Sequence, residues 1–272
     1  MEFNMLRTYS SKEHIEQLSI AVKIENLTVE YNGRPTLFNI NLDIPSGVLM
    51  AVLGPNNSGK TTLLKIIAGI NKPSAGNVYI YSRPANALKN DIAYVPARNS
   101  VNWDFPINLY DLVLMGSYNR LKKVESPGNK DKVSAREALE RMGLDTISKK
   151  SICDLSRGEK HRALIARSLV QDARIYIMDE PMIAADEESI NIIIDVLQEL
   201  RHKKKTVIVS HYDFVTIPRY FDMVSLLNVR LIAGGKTEDV LTEENFEKAY
   251  GMSAGMIKNI RLYMEESNVR NK

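Results

Sequence analysis

Apolar positions along this chain recur with two periods, and each period marks a different kind of element. Val22, Ile24, Leu27 and Val29 nearly alternate with polar residues and predict a strand, with some irregularity, from Ile20. Tyr31, Asn32 and Gly33 form a turn signal. Leu37, Ile40, Leu42 and Ile44 predict a second strand, ended by Pro45, Ser46 and Gly47. The unbroken apolar run at 48–53 predicts a buried strand, and 62–68 a helix closed by Gly69. Residues 73–76, which include Pro73 and Gly76, break the chain before short strands at 78–81 and 92–96.

From Ala97 to about Ser168 the period turns helical. Leu109, Leu112 and Val113 share one face, as do Ala135, Ala138, Leu139 and Met142, with a polar linker at 122–132 between them. This predicts a helical subdomain, about 97–168, inserted into an α/β core. Ser156 is a good N-cap for a helix carrying Ala163, Leu164, Ala166 and Leu169. The run 175–178 predicts a buried strand ending at Asp179 and Glu180. Ile190, Ile193, Ile194, Leu197 and Leu200 lie at helical spacing, and that helix ends in the basic run 201–205, where positive charge complements its dipole. Residues 206–209 predict the next strand, 223–227 and 230–233 a closing hairpin, and Thr242 the cap of a last helix. The main domain therefore spans 20–251, between a polar, aperiodic extension at 1–19 and a tail at 252–272.

Composition narrows the class of protein. The apolar share of 44% and charged share of 25% are ordinary for a soluble protein. A net charge of +3 is no argument for nucleic acid as a partner. Cys153 is the only cysteine, so no intrachain disulfide is possible, and a small buried hydrophobe is its expected role. No apolar run approaches the roughly 18–20 residues that span a bilayer. The expected protein is soluble and cytosolic, and reaches a membrane only through a partner.

The chemistry begins between the third predicted strand and the first helix. Gly54, Pro55, Asn56, Asn57, Ser58, Gly59, Lys60, Thr61 and Thr62 occupy that junction. Strand, glycine-bounded loop and helix is the context of a phosphate-binding loop. The glycines let the backbone curl so that several N–H groups point at one anion, and the helix N-terminus adds partial positive charge. Lys60 supplies a full charge for the terminal phosphates, and the Thr61 hydroxyl a ligand for Mg²⁺. Asp179 and Glu180, at the end of an apolar strand, suit metal-assisted phosphoryl transfer. Asp179 can hold Mg²⁺, Glu180 can take a proton from water, and two adjacent carboxylates push one pKa upward. His211 follows another strand, on the edge where α/β sheets bind ligands, and can bond a γ-phosphate or orient the attacking water. Ser156 and Gly158 open a helix and can offer a hydroxyl and N–H groups to an anion.

Together these stretches resemble the ATP-binding-cassette (ABC) ATPases, over roughly Val22 to Gly251. The resemblance implies a RecA-like P-loop sheet core, an antiparallel β subdomain and the inserted helical subdomain. It makes the loop at Gly54 the Walker A motif and 175–180 the Walker B motif, with Glu180 catalytic. It also makes 155–159 the LSGGQ-like signature, Asp186 the D-loop aspartate, His211 the switch histidine and Tyr31 the ring that stacks on adenine. ATP and Mg²⁺ are the implied cofactors. A finer resemblance, carried by Trp103, Asp104, Phe105 and Pro106, by 112–116 and by 226–228 with 233–235, is to the ATPase subunits of manganese, zinc and iron importers. It implies integral-membrane permease subunits, a substrate-binding protein and a second ATPase subunit as partners, at the cytoplasmic face of the cell membrane.

The sequence departs from the family pattern at two places that matter. Ala97 stands where the family has a glutamine that ligates Mg²⁺ and contacts the attacking water. Arg157 stands where the signature has its first glycine. Losing one such contact costs on the order of 10²–10³ in rate, so hydrolysis is expected to be slow rather than absent. Asn57 and Glu159 are milder changes, since Asn tolerates left-handed backbone. Two rival readings remain at this level: a soluble ABC ATPase of cofactor assembly, and a weakly hydrolysing ATP switch.

Overall fold

A computed structural model describes residues 19–251 apart from 86–87, 122–124, 184 and 215. The expected extension, but for Ser19, and the expected tail lie outside the described residues. Among the described residues, ten strands and eight α-helices follow in this order: β1 Ile20–Tyr31, β2 Arg34–Pro45, β3 Leu49–Leu53, α1 Lys60–Ile67, β4 Ala75–Ile80, β5 Arg83–Pro84, β6 Ile92–Val95, α2 Leu109–Leu114, α3 Asn129–Arg141, α4 Arg157–Val170, β7 Ile175–Met178, α5 Glu187–His202, β8 Thr206–Ser210, α6 Ile217–Tyr220, β9 Met223–Asn228, β10 Arg230–Lys236, α7 Thr237–Val240 and α8 Glu243–Tyr250.

The strands form two sheets. One is antiparallel, in the order β2-β1-β4-β5, and the other has the order β10-β9-β3-β8-β7-β6. In the second sheet β6, β7, β8, β3 and β9 run parallel, and β10 closes the edge antiparallel to β9. Strands covered on both faces read as continuous apolar runs, which is why β3, β7 and β8 are buried at every position.

Period two still operates inside those runs. Leu49, Ala51 and Leu53 of β3 join a core with the helices α2 to α5, whereas Met50 and Val52 join a second core with α1 and the antiparallel sheet. Tyr176 and Met178 face the first core and Ile175 and Ile177 the second. The central sheet is therefore a wall between a helical layer and an antiparallel layer. All three of β3, β7 and β8 end on the same edge of that wall, because they are parallel and adjacent.

Some expectations shift on the structure. The irregularity of β1 is a break in register between Glu25 and Thr28, where Asn26 takes φ +50°. β4 begins at Ala75, inside the expected break, because the pairing of Thr28 with Ala75 resumes beyond that bulge. Cys153 is exposed, not buried. The short turn at Ile152–Asp154 points Ile152 inward, at 2% exposure, and leaves the next side chain outside. No helix among the described residues is long and apolar enough to cross a membrane.

Ile177 is fully buried between these layers, whereas Phe105 is 56% exposed. Ile177→Ala is expected to lower the unfolding free energy by about 2–5 kcal/mol and Phe105→Ala by no more than about 0.5 kcal/mol, as read from urea denaturation.

Candidate nucleotide-binding and catalytic site

The loop between β3 and α1 curls as its residue types require. Asn57 has φ +63° and Gly59, the N-cap of α1, has φ +100°. At Gly54 the chain passes so close to its neighbour that an added Cβ would lie 2.0 Å from the Leu227 carbonyl oxygen. The Val229 N–H donates to the Ser58 carbonyl (3.0 Å) and ties the loop to the β9–β10 turn. Lys60 is buried, and its Nζ donates to the carbonyl oxygens of Gly54 and Pro55, both at 2.8 Å. Burial lowers the Lys60 pKa, against the opposing pull of Glu180 and Asp179.

The loop walls a cavity of about 570 Å³, lined by Thr36, residues 56–62, Glu180 and Tyr212. That volume suits a nucleotide-sized ligand. Ser58 Oγ and Asp179 Oδ2 are both buried without a hydrogen-bond partner, so the neighbourhood holds acceptors that the protein itself leaves unsatisfied.

β7 and β8 bring Glu180 to the wall of this cavity and Asp179 close behind it, beside the Thr61 hydroxyl. The Ser210 hydroxyl donates to Asp179 Oδ1 (2.8 Å) and accepts from the backbone N–H of Glu180 (2.7 Å). One hydroxyl thus fixes both acidic residues. Burial raises the Asp179 pKa most; the Ser210 and Thr61 hydroxyls lower it, and the adjacent Glu180 raises it by a smaller amount. Glu180 has φ +53°, a sparsely populated conformation for a residue with a side chain, and turns its carboxylate into the cavity. Among the described residues no cluster of three or more His, Cys, Asp or Glu could hold a metal by itself. One carboxylate and one hydroxyl, Asp179 and Thr61, fit Mg²⁺ of the kind that keeps most of its ligands as phosphate oxygens and waters.

His211 lies one step away from this cavity. Its backbone N–H donates to the Val52 carbonyl (3.1 Å), continuing the ladder of β8. Its ring is buried, shares a hydrogen bond with Thr216 Oγ1 at 2.8 Å and lies 5.4 Å from the Phe221 ring. It lines a second cavity of about 230 Å³, whose wall includes Glu180, Tyr212 and Thr216. Burial lowers its pKa, and Asp213 opposes that shift. Tyr212, the next residue, is the one that reaches the P-loop: its hydroxyl donates to Glu180 Oε1, and the Lys60 ammonium lies 4.6 Å from its ring centroid.

The remaining candidates lie elsewhere. Tyr31, 49% exposed at the end of β1, accepts a hydrogen bond from Asn71 (3.0 Å) and does not line the cavity. Ser156 caps α4: its hydroxyl accepts from the Glu159 N–H (3.2 Å), and Glu159 Oε2 accepts from the Ser156 N–H (2.6 Å) and from Lys150 Nζ (3.0 Å). Burial would raise the Glu159 pKa, but these bonds outweigh it and hold the carboxyl below its usual range. Gly158 is packed against the N-terminus of α5, where an added Cβ would lie 2.8 Å from Ser189 Oγ and 2.9 Å from Asp186 Oδ2. Arg157 is exposed, and neither Arg98 nor Asn99 lines the P-loop cavity in compensation for Ala97. The Trp103 indole N–H donates to the Arg98 carbonyl (3.2 Å).

Sequence reasoning missed Thr36, Ser210 and Tyr212 in this neighbourhood. Ser210 carried a signal, as the polar residue closing the apolar run of β8. Thr36 and Tyr212 carried none beyond proximity to motifs.

Comparison with known proteins agrees with this geometry. Residues 37–183 match the ABC transporter family model. The chain is 42% identical over 87% of its length to the zinc transport system ATP-binding protein TroB of Treponema pallidum, covering 89% of that protein. It is 41% identical over 88% of its length to the manganese transport system ATP-binding protein MntB of Bacillus subtilis, covering 95% of it. Among solved structures, a metal-chelate type ABC transporter in an inward-facing conformation superposes with a TM-score of 0.75 at 27% identity, over 86% of this chain and 90% of that one. A dimeric ATP-binding cassette bound to ADP and Pi superposes with a TM-score of 0.71 at 26% identity, over 79% of this chain and 98% of that one. A P-loop, a strand-end acidic pair beside it and relatives matched nearly end to end leave one assignment: the chain belongs to the ABC transporter family, as one of its ATPase subunits.

Proposed function

We propose that this chain hydrolyses ATP to drive import of a divalent metal ion, manganese, zinc or iron, through separate permease subunits in the membrane. The observation that carries the ATPase reading is the pairing, on one sheet edge, of the P-loop with Asp179 and Glu180 held by Ser210. The metal rests on the names of the relatives, zinc and manganese transport systems. Those names also stand against the cofactor-assembly reading.

In the reaction, the loop N–H groups, Lys60 and Thr62 receive the phosphates of ATP. Thr61 and Asp179 would hold Mg²⁺, which neutralises charge on the transferred phosphoryl group. Glu180 takes the proton of the attacking water as oxygen bonds to the γ-phosphorus and the bond to ADP breaks. Tyr31 stacks on the adenine. Ser156 and Gly158 lie at the N-terminus of α4, outside the P-loop cavity, and serve the nucleotide of a second ATPase subunit packed head to tail. The metal ion itself passes through the permease, delivered by a substrate-binding protein, and this subunit works at the cytoplasmic face of the membrane. Ala97 supports a second reading, a weakly hydrolysing ATP switch, because neither Arg98 nor Asn99 lines the cavity in place of the missing amide.

Two measurements separate these readings. Phosphate release from Mg-ATP is expected to fall by about 10²–10³ in Glu180→Gln while nucleotide binding persists, and equal rates in the two proteins would leave only the switch. Ala97→Gln is expected to raise kcat by about tenfold or more, since it restores a polar contact worth that much in comparable sites.

A further inference from the structure

We infer that Ser210 is a positioning residue that couples the two carboxylates of the site: one hydroxyl sets both the oxygen of Asp179 that is left for the metal ion and the turn that aims Glu180 at the attacking water. The inference rests on the ATPase reading above and deepens it.

Three observations carry it. First, β8 is buried at every position, and Ser210 closes it at 1% exposure. A hydroxyl at that depth costs about 1–3 kcal/mol unless it is hydrogen-bonded. The Ser210 hydroxyl is bonded in both directions: it donates to Asp179 Oδ1 at 2.8 Å and accepts from the Glu180 N–H at 2.7 Å. Both partners lie on the neighbouring chain, on the two residues that carry the chemistry. Second, the ladder between β7 and β8 stops at the pair Met178 and Val209. A further parallel rung would offer the Glu180 N–H a main-chain carbonyl, and here the hydroxyl takes that N–H instead. Third, the two oxygens of Asp179 differ. Oδ1 is engaged by Ser210, whereas Oδ2 is buried with no hydrogen-bond partner, and the Thr61 hydroxyl lies beside the carboxylate.

A short side chain with one hydroxyl suits this position. It satisfies the Glu180 N–H without keeping that residue in the sheet, so Glu180 takes φ +53° and lines the P-loop cavity. On the opposite side the same stretch is anchored by the Asp179 N–H, which donates to the Val95 carbonyl at 2.9 Å. The acidic pair is thus held from β6 by main chain and from β8 by one side chain. With Oδ1 engaged, Oδ2 is the oxygen that remains for Mg²⁺, together with the Thr61 hydroxyl. A rotation of the Asp179 carboxylate breaks its bond to Ser210, and the hydroxyl that is released is the one on which the turn at Glu180 rests. Metal-holding oxygen and base are therefore set by a single atom, and its removal disturbs both at once.

The test pairs steady-state ATP hydrolysis by the full chain with ATP binding measured in the presence and absence of Mg²⁺. Glu180→Gln is the blank for hydrolysis and the background for binding, and Tm is the folding control. Ser210→Ala deletes the hydroxyl. It is expected to lower kcat about ten- to a hundredfold, the scale of one hydrogen bond to a charged group, and to cut the gain in ATP affinity that Mg²⁺ confers by about tenfold. Affinity without Mg²⁺ is expected to change by less than about threefold, since Ser210 does not line the P-loop cavity. Ser210→Thr keeps the hydroxyl and is expected to recover most of both losses. Ser210→Cys fills the space with a weak donor and acceptor and is expected to stay near Ser210→Ala. In Ser210→Ala, an unchanged kcat or an unchanged Mg²⁺ gain, with the wild type above the blank, overturns the coupling and leaves the ATPase reading standing. Full activity in Ser210→Cys overturns it as well, because the side chain then only fills space. A wild type no faster than the blank removes the ATPase reading, and this inference falls with it because Ser210 acts only through Asp179 and Glu180.

Discussion

The parallel pairing of β3 with β8 and of β8 with β7 is the constraint on which the site depends. Parallel neighbours end on one edge, so the phosphate loop, the acidic pair and the residues after β8 arrive together without any long-range design of their own. Ser210 then converts proximity into geometry. Its hydroxyl joins the end of β8 to the end of β7, and through one oxygen sets both Asp179 and the turn at Glu180. The helical and antiparallel layers on either side hold this arrangement by keeping the sheet dry on both faces.

Much of this was legible along the chain. The continuous apolar runs of β3, β7 and β8 mark strands covered on both faces, and Gly54 through Thr61 lies where a strand meets a helix. Ser156 caps its helix as its type and place suggest, and Asn57 takes the left-handed conformation that asparagine tolerates. These features are local, and local rules suffice for them. The exposure of Cys153 is different. It depends on which residue of a single short turn points inward, and apolar character alone does not say.

That Tyr212 lines the P-loop cavity and His211 does not was not legible, for a related reason. Side chains alternate along a strand, so a one-residue difference in where the ladder stops exchanges the two faces. The chain between 206 and 212 says that a strand ends there, not whether its last bond is made by Ser210 or by His211. Histidine draws attention because its chemistry is familiar, and the tyrosine beside it reads as packing until the bond to Glu180 is seen.

The close approach at Gly158 has a wider consequence. The helix that opens at the signature and the helix that opens at Asp186 begin side by side, with Gly158 against Asp186 and Ser189. The Asp186 carboxylate caps α5 by accepting the Ser189 N–H at 2.8 Å, and its other oxygen is what an added Cβ at Gly158 would meet. Asp186 is only six residues beyond Glu180 in the chain. Any side chain at position 158 would push the start of α4 away from the chain that leads from Glu180 into α5. The spacing between these two parts of the fold is thus set by a missing side chain.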